Sequence, residues 1–420
     1  MTESNTEPKL DRLELVYQLS KTFNSSLDLD DVLNTVMDEV ISAVNAERGF
    51  VVLKETDESL VFRAARGMEQ ETLEDPEFEI SRGVVGEVIK NGQGVLTSDA
   101  QHDERFMGRQ SVMSLGLRSI LCSPLQVKDQ ALGAIYVDNR LHAGIFTNDD
   151  LDLLNAIASS AATAIENARL YQVAVDKGRM ERELSMARTV QTGLIPEKIP
   201  VLKGWQFAAS WLPAREVAGD FYDFIATDGE DMGLVIADVT DKGMGAALFM
   251  ALTRSMVRAS LEQAASPAEA ITKANRLVCA NSSSAMPVTL FYGRVGPEDG
   301  KMVYVNAGHN PPLIYRADSG EFEELTRTGI VLGVDESLTL EQDTAELEPG
   351  DFLVMYTDGV PDALNSAEQG FGEDRMRESI VSSASGTAQE IALSLLQSLQ
   401  KFIGGADPFD DITLLVAKRE

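Results

Sequence analysis

The sequence predicts an α+β protein of two or three domains, and three observations carry that prediction. Its 420 residues exceed what a single core usually serves. Strand and helix signals alternate through the first 170 or so positions, as in an α/β or α+β sensor-sized domain. After residue 200 the texture changes to apolar strands punctuated by acid–glycine corners.

Residues 10–46 read as two helices. In the second, Val32, Leu33, Val36, Met37, Val40, Ile41 and Val44 keep the three-and-four spacing of a buried helical face. Strand signals follow at "GFVVLKE", "LVFRAAR", "GVLTSD", "SILCSPLQV" and "ALGAIYVDN", with a helix at "GVVGEVIKN" among them. From Thr147 to about Leu194 the pattern is one long helix. Leu151, Leu154, Ala158, Ala161, Ile165, Ala168 and Val175 form a coiled-coil-like seam; Met180, Leu184, Ala187, Gln191 and Leu194 form a second, one residue out of phase. Gly178 lies between them, where it lowers the cost of bending. Packing of the helix against its own domains predicts the same seam. The prolines of "LIPEKIP" end the helix.

Composition excludes several functions. There are 67 acidic against 36 basic residues, a net charge of −31. Such a surface repels nucleic acid and anionic membrane. The first residues lack a signal-peptide pattern, and no apolar run approaches the roughly 20 residues of a membrane span. Two cysteines, Cys122 and Cys279, lie in apolar stretches and read as buried, inert thiols. A cytoplasmic location is expected. With only three histidines, His102, His142 and His309, any metal site must be built mostly from oxygen, which favours magnesium, manganese or calcium.

Three stretches in the first half, "GVVGEVIKNGQGVLTSD", "RSILCSPLQVKDQALGAIYVDN" and "FTNDDLDLLNAIASSAATAIENARLY", resemble a GAF domain over residues 25–172. The resemblance implies a sensor for an unknown small molecule or protein signal. The Asn-Lys-Phe-Asp-Glu signature of the cyclic-nucleotide binders is absent.

In the second half, "REVAGDFYDF" sets Asp220 behind Gly219 and returns to Asp223. "GLVIADVTDKG" climbs to Asp238, "DFLVMYTDG" ends at Asp358, and "DDITLLVAKR" begins at Asp410 and Asp411. Taken singly, each acid suits a turn. Together they stand at junctions between apolar strand and loop, and strands sharing a sheet pair would bring them to one edge. Clustered carboxylates there need cations to offset their repulsion.

"LPAREVAGDFYDF", "LVIADVTDKGMGAALFMA", "VTLFYGRV", "NAGHNPPLIY", "LEPGDFLVMYTDGVPDALN", "FGEDR" and "DDITLLVAKR" follow the order of the metal-dependent protein phosphatases, the PPM family. They are most similar to its bacterial branch, typified by RsbU and the stage II sporulation phosphatase, over residues 197–420. That resemblance implies a β-sandwich flanked by helices, with two Mn2+ or Mg2+ ions at one edge. By position, Asp238 would bridge both ions, assisted by the Val239 carbonyl. Asp220, Asp358 and Asp410 would supply further ligands, with Asp411 the alternative at its corner. Asp223 and Asp241 are expected outside the direct ligand set. Arg215 occupies the place of a phosphate-gripping arginine, a task suited to a planar guanidinium. The eukaryotic relatives' histidine after the bridging aspartate is missing from "DVTDKG", so the leaving-group acid is not assigned, and His309 is expected to be structural.

The expected architecture is an N-terminal helical segment (1–24), the GAF domain (25–172), a coiled-coil-like linker helix (173–196) and the PPM-type domain (197–420). The expected function is hydrolysis of phosphoserine or phosphothreonine on a protein. By resemblance the substrate is a STAS-domain anti-anti-sigma factor in a partner-switching pathway, with the GAF domain setting activity within a homodimer. Two alternatives are a catalytically inactive phosphoprotein-binding sensor and another metal-dependent phosphoester hydrolase.

Overall fold

The structure, a computed structural model, describes residues 7–55, 58–67, 72, 82–98, 119–140, 142–227, 230–262, 264–281, 286–297, 300–406 and 408–420. His102 and Asp99 of "GVLTSD" lie outside these residues. The chain forms two compact units, Met1–Met180 and Glu181–Glu420.

The first unit is built on a five-stranded antiparallel sheet: β1 (Arg48–Lys54), β2 (Leu60–Gly67), β3 (Val95–Thr97), β4 (Ser119–Val127) and β5 (Gln130–Asn139), in the order β2-β1-β5-β4-β3. One face packs against α1 (Glu7–Phe23), α2 (Leu29–Val44) and the first turns of α4 (Asn148–Thr192). The seven apolar residues read from spacing are the buried face of α2, whose start is capped by Asp28 accepting from the Asp31 amide. The other face carries Phe50, Val52, Cys122 and Tyr136 under α3 (Arg82–Asn91). Helix α4 runs unbroken through Gly178. Its seam from Leu154 to Ala168 is buried in the first unit's own core, so domain packing alone accounts for that stretch of the pattern.

The second unit is a sandwich of two five-stranded antiparallel sheets. The first contains β7 (Phe221–Ala226), β8 (Met232–Val239), β9 (Val288–Val295), β10 (Lys301–Ala307) and β13 (Asp343–Glu346), in the order β13-β10-β9-β8-β7. The second contains β6 (Trp205–Leu212), β11 (Leu313–Tyr315), β12 (Phe322–Glu324), β14 (Phe352–Tyr356) and β15 (Ile412–Arg419), in the order β12-β11-β14-β15-β6. Helices α5 (Met244–Leu261) and α6 (Pro267–Asn281) cover the first sheet; α7 (Gly372–Ser382) and α8 (Ala388–Ile403) cover the second.

Four layers bury both faces of the inner strands, which explains their uninterrupted apolar runs. Successive side chains of a strand point to opposite faces. In β15, Leu415 and Ala417 therefore enter the core between the sheets, while Leu414 and Val416 pack beneath α7 and α8. Cys122 is fully buried, but Cys279 is only partly so; both thiols are free.

Candidate active site

Strand pairing brings the acids together two by two. Phe221 pairs with Ala237, so Asp220, just before β7, stands beside Asp238 near the end of β8. Tyr356 pairs with Leu414, and the chain beyond each carries Asp358 and Asp410 at the same end of the second sheet. Thr413 ties the sheets there: its Oγ1 donates to Asp220 Oδ2 of the other sheet at 2.8 Å, while its amide donates to Thr357 Oγ1 beside it in its own sheet at 3.0 Å.

Gly219 has a specific reason to be glycine. A Cβ on it would stand 2.9 Å from the Val239 carbonyl oxygen. Close approach of that carbonyl, rather than a left-handed turn, requires the missing side chain. Gly359, in "YTDG", is pressed in the same way by the Asp411 carbonyl.

Electrostatics mark this edge. Asp220 is 2% exposed, and burial, then repulsion from Asp238 and Asp411, lifts its carboxyl well above the usual range. Burial and then Asp358 push Asp238 up to about 6. Asp358 is raised by burial and by Asp410, with Lys242 opposing. The compensation present is small. Lys242 Nζ lies 2.9 Å from Asp410 Oδ2, donates to the Phe409 carbonyl at 2.7 Å and sits over the Phe409 ring.

The two acids of "DDIT" are used differently. Asp411 accepts the Ala214 amide at 2.7 Å and the Gly219 amide at 2.8 Å, clamping both ends of the loop before Asp220. Asp410 accepts the Asp411 amide through Oδ1 and faces Lys242 through Oδ2. Arg215 is exposed on the clamped loop and pairs with no acid among the described residues.

Asp223 points away from this group. It is buried and ion-paired to Arg258 at 2.6 Å and Arg254 at 3.0 Å on α5. Asp241 is exposed, with a left-handed φ of 88°. His309 is buried, its Nδ1 2.7 Å from Thr289 Oγ1, and burial lowers it to about 4.

Among the described residues no three of these acids close on one point as a ready-made ion cage. They stand as electrostatically coupled groups along one edge. An all-oxygen set with too little internal positive charge fits a hard divalent cation. Sequence reasoning missed Thr357 and Thr413, although "YTDG" and "DDIT" each place a threonine next to or near a candidate ligand. It also missed strand β6, whose "WQFAASWL" alternates only weakly.

Comparison with known proteins agrees with this layout. The family model for stage II sporulation protein E (SpoIIE) matches residues 228–420, and a GAF-domain model matches residues 26–166. Phosphoserine phosphatase RsbU of Bacillus subtilis is 31% identical over 242 residues, 57% of this chain and 71% of RsbU. The chain belongs to the RsbU family of phosphatases. Protein IcfG of Synechocystis is also 31% identical, over 303 residues, but this chain spans only 46% of it. The PP2C domain of SiaA from Pseudomonas aeruginosa aligns over 59% of this chain and 99% of its own, with a TM-score of 0.52 and 21% identity, a likeness of fold. In RsbU-family terms the chain is a GAF domain followed by a PP2C-type domain.

Proposed function

We propose that this chain is a Mn2+- or Mg2+-dependent protein phosphatase acting on phosphoserine or phosphothreonine. The observation that carries the proposal is the edge where Asp220, Asp238, Asp358 and Asp410 meet with one lysine among them. RsbU and RsbP are both phosphoserine phosphatases by name, which supports the same substrate chemistry here.

Asp238, the Val239 carbonyl, Asp220, Asp358 and Asp410 would hold two ions. Bound dications supply a nucleophilic water and offset charge on the transferring phosphoryl group. Everything else falls to the chain. Thr413 and Thr357 orient Asp220. Asp411 serves as the clamp of the 214–219 loop rather than as a ligand, which leaves Arg215 free to meet a phosphate oxygen bidentately.

The substrate would be a phosphorylated STAS-domain protein, and the GAF domain would bind the signal that sets the rate. Exposed Met180, Met186 and Val190 on α4 support pairing with a second copy of the chain. We place the helical segment at 1–24, the GAF domain at 25–172, the linker at 173–196 and the phosphatase domain at 197–420, in the cytoplasm.

The deciding experiment is manganese-dependent phosphate release from p-nitrophenyl phosphate and from a phosphorylated STAS protein. Release that requires manganese and disappears in Asp238→Asn is expected. Manganese binding without release from either substrate would instead favour a phosphoprotein-binding sensor.

A further inference from the structure

The end of α4 carries a buried glutamine whose carboxamide makes three hydrogen bonds to backbone next to the acid edge. Gln191 is 4% exposed, although its neighbour Val190 is 68% exposed. Its Nε2 donates to the Ala218 carbonyl at 2.7 Å, and its Oε1 accepts the Ala218 amide at 3.0 Å. Nε2 also reaches the Ala247 carbonyl at 3.3 Å. With Ala218 the side chain thus imitates a strand neighbour, offering one donor and one acceptor to a single residue.

The two alanines matter by where they sit. Ala218 stands two residues before Asp220, next to the Gly219 amide that Asp411 holds. Ala247 lies in the first turn of α5, which follows the end of β8 through the 240–243 loop. One carboxamide therefore ties together the segments that carry Asp220 and Asp238. Other residues cannot replace it on the same backbone. Glutamate lacks the donor, asparagine is one methylene shorter, and an apolar side chain leaves the Ala218 amide and carbonyl without a partner.

We propose that Gln191 is a positioning residue for the metal edge. It fixes the Asp220 loop against the start of α5 and so sets the spacing of Asp220 and Asp238. The proposal rests on the phosphatase reading above. Together with Asp411 it gives the loop two anchors: Asp411 holds the Ala214 and Gly219 amides, and Gln191 holds both polar groups of Ala218.

The test uses the full chain with Gln191→Met, matched in length and unable to make the three bonds, and Thr192→Ala as an exposed neighbouring control. Manganese binding is measured by calorimetry, kcat and KM with p-nitrophenyl phosphate, and Ala218 amide exchange by mass spectrometry. Manganese affinity should fall about tenfold in Gln191→Met, as for residues that orient ligands from behind. kcat should fall with it, KM should change less, Ala218 exchange should quicken, and Thr192→Ala should match the parent. A variant that loses thermal stability yet keeps parental manganese affinity and kcat would overturn the proposal. If Gln191→Met does not fold, Gln191→Glu keeps the bond from the Ala218 amide and loses both donated bonds; parental affinity there overturns the proposal equally. A parent chain that binds manganese but hydrolyses nothing would defeat the phosphatase reading alone, with calorimetry still deciding Gln191. A parent that binds no manganese defeats both.

Discussion

Asp138 in the first unit and Asp238 in the second are both drawn up to about 6 by burial, but among neighbours of opposite charge. Asp138 is fully buried, and Arg48 grips it through Nε at 3.0 Å and Nη2 at 2.7 Å. Burial outweighs that arginine, but the counter-charge is part of the fold. Around Asp238 the neighbours are Asp358, Asp410 and Asp411, which add to the effect of burial. Burial of a carboxylate therefore does not identify a site. What separates structure from function is whether the chain brings its own cation. Asp223 makes the same point three residues after Asp220, since Arg254 and Arg258 already neutralise it.

The largest expected effect tests this distinction directly. Asp238→Asn should reduce manganese-dependent phosphate release by more than about 100-fold, beyond the usual cost of losing an outer partner. The same substitution should leave the metal-free thermal midpoint unchanged or raise it, because it removes a repelling charge. A fall in that midpoint would make Asp238 a structural acid like Asp138.

Asp138→Asn should do the opposite. It replaces two acceptor oxygens, used by Arg48 Nε and Nη2, with a carboxamide that offers only one, and a mismatched buried donor typically costs about 1–3 kcal/mol. Denaturant unfolding should show that loss, while manganese affinity stays at the parental value. A stability change near zero would mean that Arg48 finds another partner.

The acid edge was legible in the sequence because each acid is set off by local signals: an apolar run, a turn and a glycine. The order of those segments then placed the second unit in a known architecture. The inter-sheet ties were not legible. Thr413 reaches Asp220 across 193 positions, and no local pattern encodes such a meeting. Periodicity makes Gln191 one step of a helical seam, because it registers that a face is covered but not by what. The reason for Gly219 was equally hidden, since close approach by the Val239 carbonyl is a tertiary fact.

Acidification sharpens the comparison at smaller amplitude. The folded Asp138 holds its proton more tightly than an ordinary carboxyl at 3.8, so its contribution to stability grows as pH falls from about 6 toward that value. His309 has the reverse sign. Its folded value of about 4 lies below the ordinary 6.5, so its contribution is complete above 6.5 and is lost as pH falls toward 4. Relative to the parent, the stability deficit of Asp138→Asn should deepen on acidification and that of His309→Gln should shrink. Parallel pH profiles for the two variants would contradict the assigned causes.

The smallest effect concerns Gly178, between the two seams of α4. The helix is continuous there, and nothing lies within 4 Å of where a Cβ would stand. Gly178→Ala should therefore stabilise the helix by somewhat under about 1 kcal/mol, the ordinary propensity difference. If α4 transmits the GAF signal by bending at this point, stiffening it should also shift basal phosphate release, with manganese affinity unchanged. Stability and activity thus separate two uses of one residue. A more stable helix with parental rates, with and without an activating signal, would leave Gly178 a tolerated glycine and move the control point elsewhere along the helix.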